Sequence, residues 1–251
     1  MKKILLSTFV AAAFAVGTNA YAILTASDSG ANYGSGWTNG ANGGSNFQPW
    51  VLANNNNGTT LFAGNFIGDP TSAGIGGMAT NSFGLYANPA TAFSTAERLF
   101  ASPLSPGATF SLQWGVNWDS GATGNKGFVI FSGTNEWVNV NNGGSATITF
   151  NGTDTGFGFG TNVMNWSFAY NGSTFAVSAN DRDGTGSFAT NIAVGIAPAG
   201  FRFYTSGLQS GDQAQPYFNN LNVVPEPSTY ALLALSAVGL AGYAARRRAR
   251  K

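Results

Sequence analysis

The chain has 251 residues, of which 8% are charged and 43% hydrophobic, with 35 glycines, no cysteine and no histidine. These absences exclude disulfides, thiol or Ser-His-Asp catalysis, HExxH zinc sites and imidazole proton shuttles, leaving carboxylate chemistry or oxygen-ligand calcium binding. The whole chain is +1, but residues 23–223 hold four basic residues (Arg98, Lys126, Arg182, Arg202) against nine acidic ones, a net of −5, which excludes a basic face and a nucleic-acid partner.

The chain begins MKKILLSTFVAAAFAVGTNAYA. Lys2 and Lys3 form a positive region, Ile4–Val16 an apolar one, and Ala20-Tyr21-Ala22 an A-x-A cleavage site. This predicts a helical signal peptide over 1–22, export through the Sec translocon, and cleavage by signal peptidase after Ala22. The apolar run is too short for a comfortable permanent span. About 200 residues follow, enough for one sizeable core.

The next stretch is rich in Gly and Asn, with Asn54–Asn57 as an exposed loop, but Trp37, Phe47 and Trp50 give it something to bury, so it reads as part of the domain. Thr95–Phe100 reads as a strand. In ATFSLQWGVNWD, Phe110, Leu112, Trp114, Val116 and Trp118 alternate with Thr109, Ser111, Gln113, Gly115 and Asn117, the pattern of a half-buried antiparallel strand. Shorter strands are predicted at Gly127–Phe131, Trp137–Val140, Ala146–Phe150 and Gly156–Phe159. Met164, Trp166, Phe168 and Tyr170 alternate up to Asn171-Gly172, and Phe175, Val177 and Ala179 alternate after it, which predicts a hairpin. Ile192–Ile196, Phe201–Tyr204 and Tyr217–Val223 complete the set. Many short strands separated by Gly, Asn, Ser and Thr predict an all-β ectodomain over 23–223, an antiparallel β-sandwich. An outer-membrane barrel would need longer strands, of roughly 9–11 residues.

After the last strand come Pro225, Glu226 and Pro227, where the prolines oppose both ladder pairing and helix continuation. Ser228 or Thr229 can cap a helix over 230–245, about 24 Å long, just short of the roughly 30 Å hydrocarbon core. The basic cluster Arg246, Arg247, Arg248, Arg250 and Lys251 stays cytoplasmic by the positive-inside rule. A single-span inner-membrane anchor satisfies this physics.

The segment 224–251 also resembles the PEP-CTERM sorting signal, with a Pro-Glu-Pro motif, a short apolar helix and an Arg-rich end in that order. The resemblance implies recognition by exosortase, a membrane protease, with transient residence in the inner membrane, cutting near the motif and transfer to the cell surface or exterior. It further implies a role beside exopolysaccharide in a biofilm matrix. The stretches SFGLYAN (Ser82–Asn88), GATFSLQWGVNW (Gly107–Trp118), GFVIFSG (Gly127–Gly133) and YFNNLNVVPEP (Tyr217–Pro227) resemble PEP-CTERM proteins with concanavalin A-like, jelly-roll ectodomains.

Function then divides three ways. The first reading is a non-enzymatic surface or matrix protein without cofactor. The second is a carbohydrate-binding module in which Trp37, Trp50 or Trp137 stands exposed beside Asn and Asp, with extracellular polysaccharide as partner. The third is a carboxylate glycosidase or lyase using acids among Asp119, Glu136 and Asp154, facing each other about 5–9.5 Å apart across a cleft. Asp181 and Asp183, in DRDGTG, are the candidates for calcium, but the stretch lacks the further ligands of a full calcium loop and reads first as a polar turn between two strands.

Overall fold

The computed structural model describes residues 25–34, 36–117, 124–143, 146–158, 160, 163–180, 186–225 and 246. Within them the alternation becomes β1 (Ala26–Asp28), β2 (Val51–Asn54), β3 (Phe62–Gly68), β4 (Ser82–Asn88), β5 (Phe93–Leu99), β6 (Ala108–Gly115), β7 (Asn125–Ser132) and β8 (Asn135–Gly143). These are followed by β9 (Thr147–Phe150), β10 (Thr153–Gly158), β11 (Met164–Tyr170), β12 (Thr174–Asn180), β13 (Ser187–Ala193), β14 (Gly200–Ser206) and β15 (Tyr217–Pro225). They form two antiparallel sheets, one ordered β13-β12-β11-β6-β15-β4-β3 with β1 also on β15, the other β10-β9-β8-β7-β14-β5-β2. The result is the jelly-roll sandwich that the sequence led us to expect. Among the described residues of the sandwich, the helical pieces are short 3-10 turns at Gly30–Tyr33, Pro70–Ala73 and Asp212–Ala214.

The core follows the period of two. Phe110, Leu112 and Trp114 on β6 are buried, and register sets Phe110 against Phe168 and Leu112 against Trp166 on β11. Across the sandwich, Phe203 of β14 stacks on Phe218 of β15 with centroids 4.0 Å apart, and Phe201 stacks on Phe110 at 5.0 Å. Each such ring pair contributes about 0.5–1.5 kcal/mol beyond its buried area. Two Asn-Gly turns close hairpins. Asn171 Oδ1 accepts from the backbone N–H of Ser173 and Thr174 at 3.0 and 2.9 Å. Asn151 and Gly152, both at positive φ (48° and 78°), join Phe150 to Thr153 in the way a two-residue hairpin requires.

Several expectations are corrected. The strand placed at Ile192–Ile196 is β13, which starts at Ser187 and ends at Ala193, because Phe188, Thr190 and Ile192 supply its inward side; the Val194 N–H adds one more bond in the same register, to Ser173 O at 2.8 Å. The strand placed at Gly156–Phe159 is β10, which starts directly after the Asn151-Gly152 turn and carries an irregularity between Asp154 and Gly158. Pro225, expected to stop pairing, is the last residue of β15 opposite Ala108. This rung needs no proline N–H, and the Ala108 N–H is already bonded to Ser105 O at 3.0 Å. Among the described residues no helix is long and apolar enough to cross a membrane; the apolar runs 4–16 and 230–245 lie outside them.

Candidate functional site

Alternation on β14 sends Phe201 and Phe203 inward and turns Arg202 and Tyr204 to the outer face of the second sheet. Register sets Arg202 between Glu97 of β5 and Val129 of β7. A register shift in β8 between the partners of Ile130 and Phe131 brings Glu136 opposite Phe131, within reach of the same guanidinium. Arg202 Nη2 pairs with Glu136 Oε1, Nη1 lies 3.5 Å from Glu97 Oε2, and the guanidinium carbon sits 5.9 Å from the Phe131 ring centre. These side chains are about a third exposed, so each pair contributes about 0.2–1 kcal/mol.

Beside them, Tyr204 lies over Gly127, where a Cβ would strike the Val140 carbonyl and come within 2.9 Å of the Tyr204 hydroxyl. The missing side chain lets the Tyr204 hydroxyl cross β7 and donate to Asn139 Oδ1 at 2.7 Å, with Asn141 Oδ1 at 3.0 Å. Burial first, then the charge of Glu136, pushes this phenol above its ordinary range, so it is a neutral donor at physiological pH. Val51 and Phe93, 58% and 42% exposed, border the same open groove of about 580 Å³. The groove therefore offers a cation, two carboxylates, amides and an apolar border, which is binding chemistry. Hydrolysis by two acids needs the carboxylates to face a bond between them; Glu97 and Glu136 both face Arg202 instead.

A second charged cluster is internal. Arg98 and Asp28, 1% and 4% exposed, form an ion pair between β5 and β1. All five guanidinium N–H groups have acceptors: Asp28 Oδ2 and Tyr33 Oη on Nη1, Asn42 Oδ1 (2.6 Å) and Gly43 O (2.9 Å) on Nη2, and Gln48 O (2.6 Å) on Nε. Phe47 and Trp50 flank the cation at 4.9 and 5.0 Å. Tyr33 donates to Asp28 Oδ2 at 2.6 Å and accepts from Trp50 Nε1 at 2.9 Å. This network holds the Gly/Asn-rich N-terminal third onto the sandwich.

The expected residues are distributed as follows. Ala20, Ala22, Asp119, Asp181, Asp183, Glu226, Pro227, Arg247 and Arg248 lie outside the described residues, and Arg246 is described as exposed. Asp154 accepts from the Gly156 N–H at 2.8 Å, closing its own turn, whereas Glu136 belongs to the Arg202 groove. Trp37 and Trp50, read as possible sugar platforms, are 4% and 1% exposed and pack on each other and on Phe83. They are core residues, and Trp137 is partly buried against the same core. Among the described residues no cluster of acids could hold a metal ion. Sequence reasoning missed Glu97, Arg202 and Tyr204 as a group because two strands about a hundred residues apart in the chain deliver them; their outward positions on β5 and β14 were the available signal.

The remaining candidate, the sorting motif, begins inside the fold. On one side of β15, Val224 and Pro225 pair with Thr109 and Ala108; on the other, Val223 pairs with Ala26 of β1. The described domain thus begins and ends side by side at one end of the sandwich, and its last strand carries the first motif residue. This is a β-sandwich domain joined without a linker to a C-terminal processing signal. Residues 223–248 match the family described as the PEP-CTERM protein-sorting motif, and that motif implies exosortase as processing partner and sorting to the surface. No curated protein matches the chain. Among solved structures it is similar to the T. cruzi calreticulin globular domain (11% identity, TM-score 0.43, covering 77% of this chain and 90% of that one). It is also similar to lectin II from Ulex europaeus (11%, 0.38, 69% and 96%) and to the alginate lyase from Corynebacterium sp. (10%, 0.35, 51% and 67%). No ligand or activity passes from them to this chain.

Proposed function

We propose that the chain is a non-enzymatic surface or extracellular-matrix protein that exosortase sorts through its C-terminal segment, its domain serving a structural or adhesive role beside exopolysaccharide. The observation that carries this reading is the direct junction of β15 with the motif at Pro225. A complete domain stands before the signal, and cutting after Pro225 removes none of it. The test is replacement of Pro225-Glu226-Pro227 by Ala-Ala-Ala. If the segment is a signal, the variant accumulates uncut in the inner membrane while the wild type reaches the exterior, smaller by about the tail. If the segment is only an anchor, the two proteins stay together in the membrane, because the apolar run and the arginines supply insertion and orientation.

A second reading, a carbohydrate-binding module, draws on the Arg202 groove, whose amides, tyrosine, charges and apolar border suit a polyhydroxylated ligand. A glycan screen with and without calcium tests it. Binding abolished by Arg202→Ala supports the groove, and binding unaffected by that change removes it.

A further inference from the structure

The end of the sandwich from which the sorting segment departs is built from Phe100–Gly107, the Asn171–Ser173 turn and the chain between β13 and β14. The contacts among these are explicit: Leu104 N–H to Pro198 O at 2.8 Å, Val194 N–H to Ser173 O at 2.8 Å, and Phe100, Leu104 and Ala108 beside Ala26 and Val223. No charged residue occurs in 99–107, 171–173, 193–200 or 222–225, in a domain that carries a net of −5. Of the six large apolar side chains exposed among the described residues, Leu99 (41%), Ile196 (56%) and Val224 (46%) belong to this end or its border. Among the described residues, Glu97, Arg202 and Glu136 lie around the corner on the second sheet and are paired with one another, and the exposed Asp154, two residues past the Asn151-Gly152 turn, accepts from the Gly156 N–H. The opposite end, where β15 starts beside Ser72, carries Asp69 and Asp212.

Chain length decides what covers this surface. Four residues, 226–229, separate Pro225 from the apolar run 230–245, and four extended residues span at most about 14 Å. A domain so tethered must stand with this end against the interface. Charges brought there would be desolvated at a cost, whereas apolar side chains gain by entering it. We propose that this uncharged end, centred on Ile196 and Val224, is a bilayer-docking surface that seats the domain on the outer face of the inner membrane until the tail is cut. The proposal rests on the reading of 230–245 as a membrane segment. Docking fixes the distance of the motif from the membrane, presenting it to a membrane-embedded protease, and cutting frees the surface.

The absence of cysteine permits single-cysteine labelling of the full exported chain. Ile196→Cys, Ser210→Cys at the opposite end and Ala234→Cys in the apolar run are labelled with bimane. Each is then reconstituted in phosphatidylcholine vesicles with and without brominated lipid. The expected result is strong quenching at 234, quenching at 196 at least threefold greater than at 210, and loss of the 196 signal once the tail is removed. Quenching at 234 with equal values at 196 and 210 overturns docking and leaves the anchor intact. No quenching at any site overturns both the anchor and the docking surface. Quenching at 196 but not at 234 removes the anchor on which the tether argument stands and overturns the proposal. In unlabelled Ile196→Cys protein treated with copper phenanthroline as oxidant, a disulfide between two copies through residue 196, with no lipid quenching of the labelled protein there, assigns the surface to a second copy and overturns the proposal.

Discussion

Replacing Arg98 by Met removes a buried cation while keeping an unbranched side chain of comparable length. Asp28, 4% exposed, is then left as a buried carboxylate without its counter-charge, and Tyr33, Asn42, Gly43 and Gln48 lose a donor. Breaking a buried pair from one side costs about 3–5 kcal/mol, a large fraction of the roughly 5–15 kcal/mol that holds a domain folded. For a domain of about 200 residues this lowers the melting temperature by about 6–20 °C. Calorimetry and urea unfolding of residues 23–225 measure it. The Asp28→Leu, Arg98→Met double variant separates the pair from its surroundings: its loss should fall short of the summed single losses by about 1–3 kcal/mol. A single-variant cost below about 1 kcal/mol, or additivity within about 0.5 kcal/mol, would refute the assignment of this network as the clasp of the N-terminal third.

Alkaline pH should loosen the domain through its tyrosines. Burial first, then the hydrogen bond and charge of Asp28, raises the Tyr33 hydroxyl above its ordinary range, and burial also leads the rise at Tyr204 and Tyr217. A raised folded-state value means that the stability from the protonated phenols is complete below the unfolded value of about 10 and is lost as pH climbs through the folded one. Tyr33→Phe should therefore flatten the fall of melting temperature above pH 10, and an unchanged slope would count against this coupling. Calcium should matter little to stability, since DRDGTG offers two carboxylates. A site filled at a hundred times its Kd would add about 2.7 kcal/mol, or about 5–10 °C, which chelation would remove. Gly127→Ala should destabilise the domain by about 1–3 kcal/mol by driving a methyl into the Val140 carbonyl and the Tyr204 hydroxyl, and a neutral result in thermal unfolding would contradict this packing.

The legible part of the fold was the part with large residues on a strict period. In β6, β11 and β12 the inward positions hold Phe, Leu, Trp, Met, Tyr and Val, and the Asn-Gly turn at 171–172 marks the hairpin. In β1 to β4 the pattern is diluted: β3 reads FAGNFIG, where glycines give no side to the strand, and β2 has four residues at a sheet edge. β13, SFATNIA, also at an edge, alternates weakly and shifted the expected boundary. Trp37 and Trp50 looked like loop aromatics because their partners, Phe83 and Arg98, are distant in the chain. The ion pair of Asp28 and Arg98, separated by 70 residues, leaves no local mark. The sorting motif was legible because it is a contiguous string. What sequence did not reveal is that Pro225 belongs to both strand and motif, since a proline in isolation speaks against pairing.

The central claim is that the C-terminal segment is removed as an address. The most direct measurement is the intact mass, with terminal peptide mapping, of the protein recovered outside the cell. Pro225 is paired with Ala108 in β15, so a cut that spares the fold leaves Pro225 in place. The account predicts an extracellular C-terminus within residues 226–229 and no peptide from Tyr230 onward. Extracellular protein that still carries Arg246–Lys251 would contradict it and return the segment to the role of a plain anchor.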